Sequence, residues 1–434
     1  MHKQFLKYVI PSMITFLFTG IYVSIDGFFV GQTVGDVGLG SVNVAWPLAA
    51  LILDMGIGIG MGGSILISNY LGAGDKEKAD KAFGNTLVAL VLSSIALTIF
   101  LLFFGKQLLR LMGAEGEILE LGHQYIETLA YGAIVQVFSS GVTPLLRNQN
   151  KPWIAMTLML MNFTIDTVLS GVFVMLLGFG VKGAALATVV GQSITLIPAL
   201  FILFKKEHRI PAHFYKLQRN MLQRILRIGL PVFGLSFIPS LTILIMNRQA
   251  VTYGGTTAIA AFAVISYVLS IGQLLLQGIG EGCQPLLSFY YGAKNAQAIR
   301  TFRNWSYLLA FFLSILSTTA IMLLNHQIAA FFGVSKETAE VLQFALPICA
   351  LSLPLYAFSR VTTEYFNALK KSKSAAVMVY GEAFILLPLT AFILPSIWGV
   401  NGIWITVTFV QLLLLLIGIY LCLRNRHILD KLSS

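Results

Sequence analysis

Twelve apolar stretches, each long enough to cross a bilayer as a helix, leave this chain few structures to choose from. Tyr8 to Val30 and Phe83 to Phe104 are typical of them. Each matches the roughly 20 residues that span about 30 Å of hydrocarbon. In lipid every backbone amide needs an internal partner, so only helices and closed barrels cross it. These blocks lack the alternation of barrel strands. The spacing predicts spans near 8–30, 38–71, 83–104, 118–146, 153–177, 182–204, 226–252, 256–292, 299–325, 337–368, 373–396 and 399–423. The first is too long for a signal-peptide core, contains Asp26 and lacks a small-residue cleavage site, so it reads as a span. The expected fold class is therefore an all-α integral membrane protein. Composition agrees: 11% of residues are charged, against about 25% in soluble domains.

The net charge of +11 is topological information and not a nucleic-acid footprint. With the N-terminus inside, 23 of the 29 Lys and Arg fall in inner loops or at the two ends. Lys106, Arg110, Lys182 and Lys336 fall outside, and Arg248 and Arg360 lie within spans. This bias places both termini in the cytoplasm and the chain in the plasma (inner) membrane, in contact with anionic lipid. Cys283, Cys349 and Cys422 sit far apart in apolar segments, so neither a disulfide framework nor a zinc site is expected. No phosphate-binding glycine loop with its lysine is present, so ATP is not the expected energy source.

The chain matches itself at an offset of 220 residues. Pro11 pairs with Pro231, Gly35 with Gly255, and Gly58, Gly60 and Gly62 with Gly278, Gly280 and Gly282. Ser68-Asn-Tyr70-Leu-Gly72-Ala73 pairs with Ser288-Phe-Tyr290-Tyr-Gly292-Ala293. After a one-residue slip, Gly180-Val-Lys-Gly183 pairs with Gly399-Val-Asn-Gly402. The offset spans six helices, an even number, so the halves are parallel repeats about an axis along the membrane normal. The expected division is an N-lobe over 1–204, a basic cytoplasmic linker over 205–225 and a C-lobe over 226–434. One chain then holds both halves of a transporter, and a monomer is expected.

Seven of the 18 carboxylates fall inside spans: Asp26, Asp54, Glu127, Asp166, Glu281, Glu364 and Glu382. A charge at mid-bilayer costs about 2.5–3.5 kcal/mol even on lenient scales, so such groups are functional candidates by default. Asn162 precedes Asp166 by four residues, which puts both on one helical face. Asp26, Asn162 and Asp166 together have the oxygens to hold a proton or to coordinate Na+. The plain alternative is an interhelical hydrogen bond that serves packing. Substrate-contact candidates in the first half are Tyr22, Asn43, Trp46, Asp54 and Phe138, the aromatics suiting flat organic cations through cation–π contact. In the second half they are Arg248, Glu281, Arg360, Glu364 and Glu382, where two arginines among three acids invite buried ion pairs as readily as substrate contact. The glycines from Gly56 to Gly63 are read as sites of close helix packing.

These residues in this order resemble the multidrug and toxic compound extrusion (MATE) exporters. The resemblance rests on Pro11 with Asp26, Trp46-Pro47, Ile67 to Ala73, Asn162-x-x-x-Asp166, Gly183 to Thr188 and Gln284-Pro285 to Ala293. Gly280-Glu281-Gly282 is most similar to the MepA-like bacterial branch. The resemblance implies a V-shaped pair of six-helix bundles and alternating access. It implies export of drugs or toxic organic cations in exchange for H+ or Na+, with no other cofactor. It implies a coupling site of Asp26, Asn162, Asp166 and Thr188, and a first helix that bends near Pro11. One departure is Thr167, where the family usually has proline. Asn162 aligns with Glu382, so coupling is expected in the first half only. Two other readings compete. A flippase for lipid-linked precursors needs a strongly cationic cavity, for which only Arg248 and Arg360 are available. An intramembrane enzyme needs a catalytic cluster, yet none of the six His is mid-span.

Overall fold

The computed structural model describes residues 1–204, 211–332, 334–427 and 429; among these, the side chains of residues 20–28, 36, 212, 236, 237, 240 and 256 lie outside the description. No strand occurs among the described residues. The helices are α1 (His2–Gly72), α2 (Lys76–Leu111), α3 (Gly116–Tyr131), α4 (Ala133–Asn148), α5 (Pro152–Ser170) and α6 (Gly180–Leu203) in the first half. The second half has α7 (Arg219–Gly292), α8 (Ala296–Leu323), α9 (Asn325–Phe331), α10 (Lys336–Ala350), α11 (Ser352–Ala368), α12 (Ser372–Gly381), α13 (Leu387–Trp398) and α14 (Val400–Arg424). A π-helical turn, Gly171–Leu176, continues α5, and another, Glu382–Leu386, joins α12 to α13.

α1 and α7 are each two spans joined at a glycine. Gly35 has φ 71° and ψ −158°, and Gly255 has φ 60° and ψ −152°. Only glycine takes this backbone without strain. Nine described segments are long and apolar enough to cross a bilayer, and α3 with α4, bent by 64°, forms a tenth. The helices before Gly35 and Gly255 complete the twelve.

The repeat is visible in the backbone as well as in the sequence. Asn150 (φ 65°) answers Lys370 (φ 56°), and Gly180 (φ 55°) answers Gly399 (φ 57°). Asp75 caps α2 by accepting from the Lys78 amide at 3.0 Å, and Asn295 caps α8 by accepting from the Ala298 amide at 2.9 Å. The Lys78 ammonium, hydrogen-bonded to Asp75, holds that carboxyl below its usual range.

Two compact units form, each with its own apolar core. One comprises Met1–Leu17 and Ile238–Ser434; the other is Phe18–Phe237. Their boundaries are 220 residues apart and fall inside α1 and α7, so each unit takes the first half-helix of the other repeat. This differs from the division at 204 and 226 that the loops of the sequence suggest. The alternating glycines explain the exchange. A Cβ at Gly62 would lie 2.2 Å from the Ile225 carbonyl oxygen, and one at Gly58 would lie 3.1 Å from the Phe233 Cβ. In the other unit a Cβ at Gly282 would lie 2.8 Å from the Val9 Cα, and one at Gly278 would lie 2.8 Å from the Met13 Cα. The same exchange brings the Arg224 guanidinium to the Tyr70 hydroxyl at 3.1 Å, and the Tyr290 hydroxyl to Gln4 at 3.1 Å. Gly60 turns elsewhere, onto Gly141 of α4.

The end of the interlobe linker is fastened to α2. A Cβ at Gly84 would lie 2.4 Å from the Phe214 carbonyl oxygen. Next to it, Asn85 accepts from the Gln218 amide at 2.7 Å and donates to the Lys81 carbonyl at 2.9 Å. Asn85→Ala leaves the Gln218 amide without this acceptor, a loss of about 1 kcal/mol. Trypsin is then expected to cut after Lys216 or Arg219 several times faster than in the native protein, and an unchanged rate would remove Asn85 from this role.

Candidate functional site

The unit Phe18–Phe237, called the first unit from here on and the other the second, contains a polar seam between α5 and α6. Asn162, Asp166 and Ser170 recur every fourth residue on α5 and so share a face. Asp166 and Ser170 are fully buried, and Asn162 is half-buried. Across from them, Thr188, Gly191, Gln192 and Thr195 recur at helical spacing along α6. A Cβ at Gly191 would lie 3.3 Å from the Asp166 Cβ, so the absence of a side chain there lets the acid helix lie close. Thr195 Oγ1 reaches Asn162 Oδ1 at 3.5 Å and also donates to the Gly191 carbonyl at 3.1 Å. Gln192 is 8% exposed, and its Oε1 has no hydrogen-bond partner among the described residues. Thr188 is half-buried and donates to the Ala184 carbonyl at 3.3 Å. The π-helical turn begins at Gly171, five residues after Asp166 and four after Thr167, where the resemblance implies proline. π turns inside α-helices are often found at functional sites.

This seam offers carboxylate, amide and hydroxyl oxygens in an apolar bundle. An ionised carboxyl in such surroundings is costly unless charge or hydrogen bonds balance it. Asp26 and Tyr22 belong to the segment whose side chains lie outside the described residues. Asp54 is buried on α1 at 5% exposure. Asn43 is exposed, Trp46 is 38% exposed, and Phe138 packs against the first unit's core. Pro11 is buried in unbroken helix, with the Thr15 hydroxyl donating to its carbonyl at 2.8 Å. Gln192, Thr195 and Ser170 escaped the sequence reading. Their signal was polar residues at spacings of three and four in otherwise apolar spans.

The second unit gathers the other charges. Arg360 Nη2 donates to Glu382 Oε2 at 3.3 Å, with both side chains buried. Gln411 Nε2 donates to Glu382 Oε1 at 2.7 Å. The Tyr356 ring centroid lies 4.6 Å from the guanidinium carbon. Glu364 packs on Gly280, whose added Cβ would lie 3.1 Å from its Cγ, and accepts from Asn367 at 3.3 Å. Glu281 accepts from Gln277 at 3.2 Å. Arg248, expected among these acids, is instead exposed and forms no ion pair among the described residues. It projects from an exposed face of α7, whereas Arg360 of α11 is buried against Glu382.

The comparisons with known proteins follow the same two halves. The MatE family model matches residues 11–172 and again residues 231–392, the same 220-residue offset. Multidrug export protein MepA of Staphylococcus haemolyticus (strain JCSC1435) is 24% identical, over 99% of this chain and 96% of that protein. An outward-facing multidrug resistance MATE family transporter of the MOP superfamily matches with a TM-score of 0.92 at 27% identity, covering 99% of this chain and 96% of that one. A MOP superfamily transporter from Pyrococcus furiosus Vc1 (DSM3638), described as having a binding pocket of reverse polarity that suggests a different function, matches equally well at 26% identity, covering 100% and 96%. Two repeated helical units with polar groups buried at mid-span are the build of a multipass membrane transporter. The chain belongs to the MatE family.

Proposed function

We propose that this protein is a multidrug efflux transporter, exporting cationic or amphipathic organic compounds in exchange for H+ or Na+ by alternating access. Family membership and the names of the MepA and MATE relatives support export of drugs. The observation that carries the coupling is Asp166, fully buried in an apolar unit and seated on Gly191 beside Asn162, Gln192 and Thr195. In this reading the outward state takes an ion or proton onto Asp166 and its neighbours, with Asp26 and Thr188 completing the site. Neutralising the acid changes the cost of burying it, and that difference biases the two conformations. Neutralised, the seam is an apolar interior; ionised, it must open toward water. Asp54, Asn43, Trp46, Phe138 and Tyr22 remain the substrate-contact candidates of the first half. The excess of inner-loop Lys and Arg supports a plasma-membrane location with both termini cytoplasmic. One chain supplies both repeats, which favours a working monomer.

Proteoliposomes loaded with ethidium test this reading. Efflux is expected when a pH gradient or a Na+ gradient is imposed alone, and the gradient that drives it names the ion. If neither gradient moves ethidium or other cationic dyes, the export reading fails and the flippase reading returns.

A further inference from the structure

The two units differ at equivalent positions in one respect that bears on ion exchange. Asn162 of α5 corresponds to Glu382 at the offset of 220, and Gln192 of α6 corresponds to Gln411 of α14 after the one-residue slip. Both glutamines are buried, at 8% and 7% exposure. In the first unit Gln192 Oε1 has no hydrogen-bond partner among the described residues. In the second unit Gln411 holds one Glu382 oxygen at 2.7 Å, and Arg360 holds the other at 3.3 Å. The position equivalent to Arg360 in the first unit is Ser140, which is neutral.

A carboxylate buried this deeply needs a positive charge or a proton beside it. Arginine keeps its charge at any pH a protein survives. The Arg360 guanidinium is further held by the Tyr356 ring at 4.6 Å. Glu382 faces Arg360 and Tyr356 of α11 and the neutral Gln411 of α14; Glu364 of α11 acts on Arg360, and Glu281 of α7 acts on Tyr356. Arg360 is the only cation in this set among the described residues, and it is covalently attached.

We propose that Arg360 is a resident cation that permanently fills, in the second unit, the place an exchangeable ion takes in the first, so that Glu382 and Gln411 form a latent cation site closed by the chain itself. The comparison with the first unit rests on the function proposed above; the closed state of the second site rests on the ion pair alone. The lock confines exchange to one unit.

Infrared difference spectroscopy of the full chain in lipid nanodiscs reads this directly, with native protein compared against Glu382→Gln over a range of pH, with and without Na+. In the native protein the carboxylate bands lost in Glu382→Gln are expected to be unmoved by Na+. Arg360→Gln is expected to gain one carboxyl band that responds to pH or Na+ and is absent from the Arg360→Gln/Glu382→Gln double variant. Arg360→Lys should keep the Glu382 bands insensitive to Na+. Native Glu382 bands that Na+ shifts overturn the proposal, and so does an Arg360→Gln variant without the new band. Should Arg360→Gln fail to fold, the native and Arg360→Lys spectra still decide. Asp166→Asn should leave the Glu382 bands unmoved, so a failure of the first-unit reading appears in transport and not in these spectra.

Discussion

Asp166→Asn is expected to reduce gradient-driven ethidium efflux to the level of empty liposomes while the protein still reaches the membrane. The amide preserves the shape of the acid but cannot take up or release a proton, and it attracts a cation far less. Asp166 is fully buried, so its ionised form bears a desolvation cost that the amide does not. Thermal stability is therefore expected to hold or to rise. That pairing of outcomes separates coupling from packing. If Asp166 served only an interhelical hydrogen bond, the substitution would lower the melting temperature and leave much of the efflux intact. Retained efflux in a stable variant would remove Asp166 from the coupling site.

Gly62→Val should have the largest structural effect. The added Cβ would lie 2.2 Å from the Ile225 carbonyl oxygen and 2.9 Å from the Gly229 amide nitrogen. Both are backbone atoms, so no rotamer change relieves the clash. Overpacking a tight interior costs about 1–3 kcal/mol, and a backbone clash falls at the upper end. At about 2–4 °C per kcal/mol for a unit of this size, Phe18–Phe237, the melting temperature of that unit should drop by roughly 6–12 °C. Gly282→Val, the repeat equivalent, should behave alike, since its Cβ meets Val9 and Ser12 at 2.8 and 3.0 Å. Gly381→Val is the control: no atom lies within 4 Å of its Cβ position, and its backbone is helical. Equal losses at Gly62 and Gly381 would show that insertion, and not this contact, is at fault.

The glycine pattern shows how far sequence reasoning reached. Small residues from Gly56 to Gly63 announced close packing, because only helix backbones in near contact call for them. They did not announce that Gly58 and Gly62 face α7 while Gly60 faces α4. The candidate site divides in the same way. Asp166 and Asn162 stood out because a polar group is rare and costly in an apolar span. Gln192, Thr195 and Gly191 carried a weaker signal, and only the pairing of α5 with α6 shows that their face meets the acid.

Arg248 and Arg360 mark the limit most sharply. In sequence they are equivalent, each a lone arginine in an apolar span. In the structure one is exposed and the other is buried against Glu382. The number of spans, the parallel repeat and the identity of the costly charges were determined by the sequence alone, because each follows from local composition in a solvent that punishes polarity. The exchange of half-helices between units, the seam beneath Asp166 and the choice of Arg360 as the partner of Glu382 were decided only by tertiary structure. Those depend on which helix faces meet across tens to hundreds of residues, and the local pattern of apolar and polar residues shows that a face will be covered without saying by what.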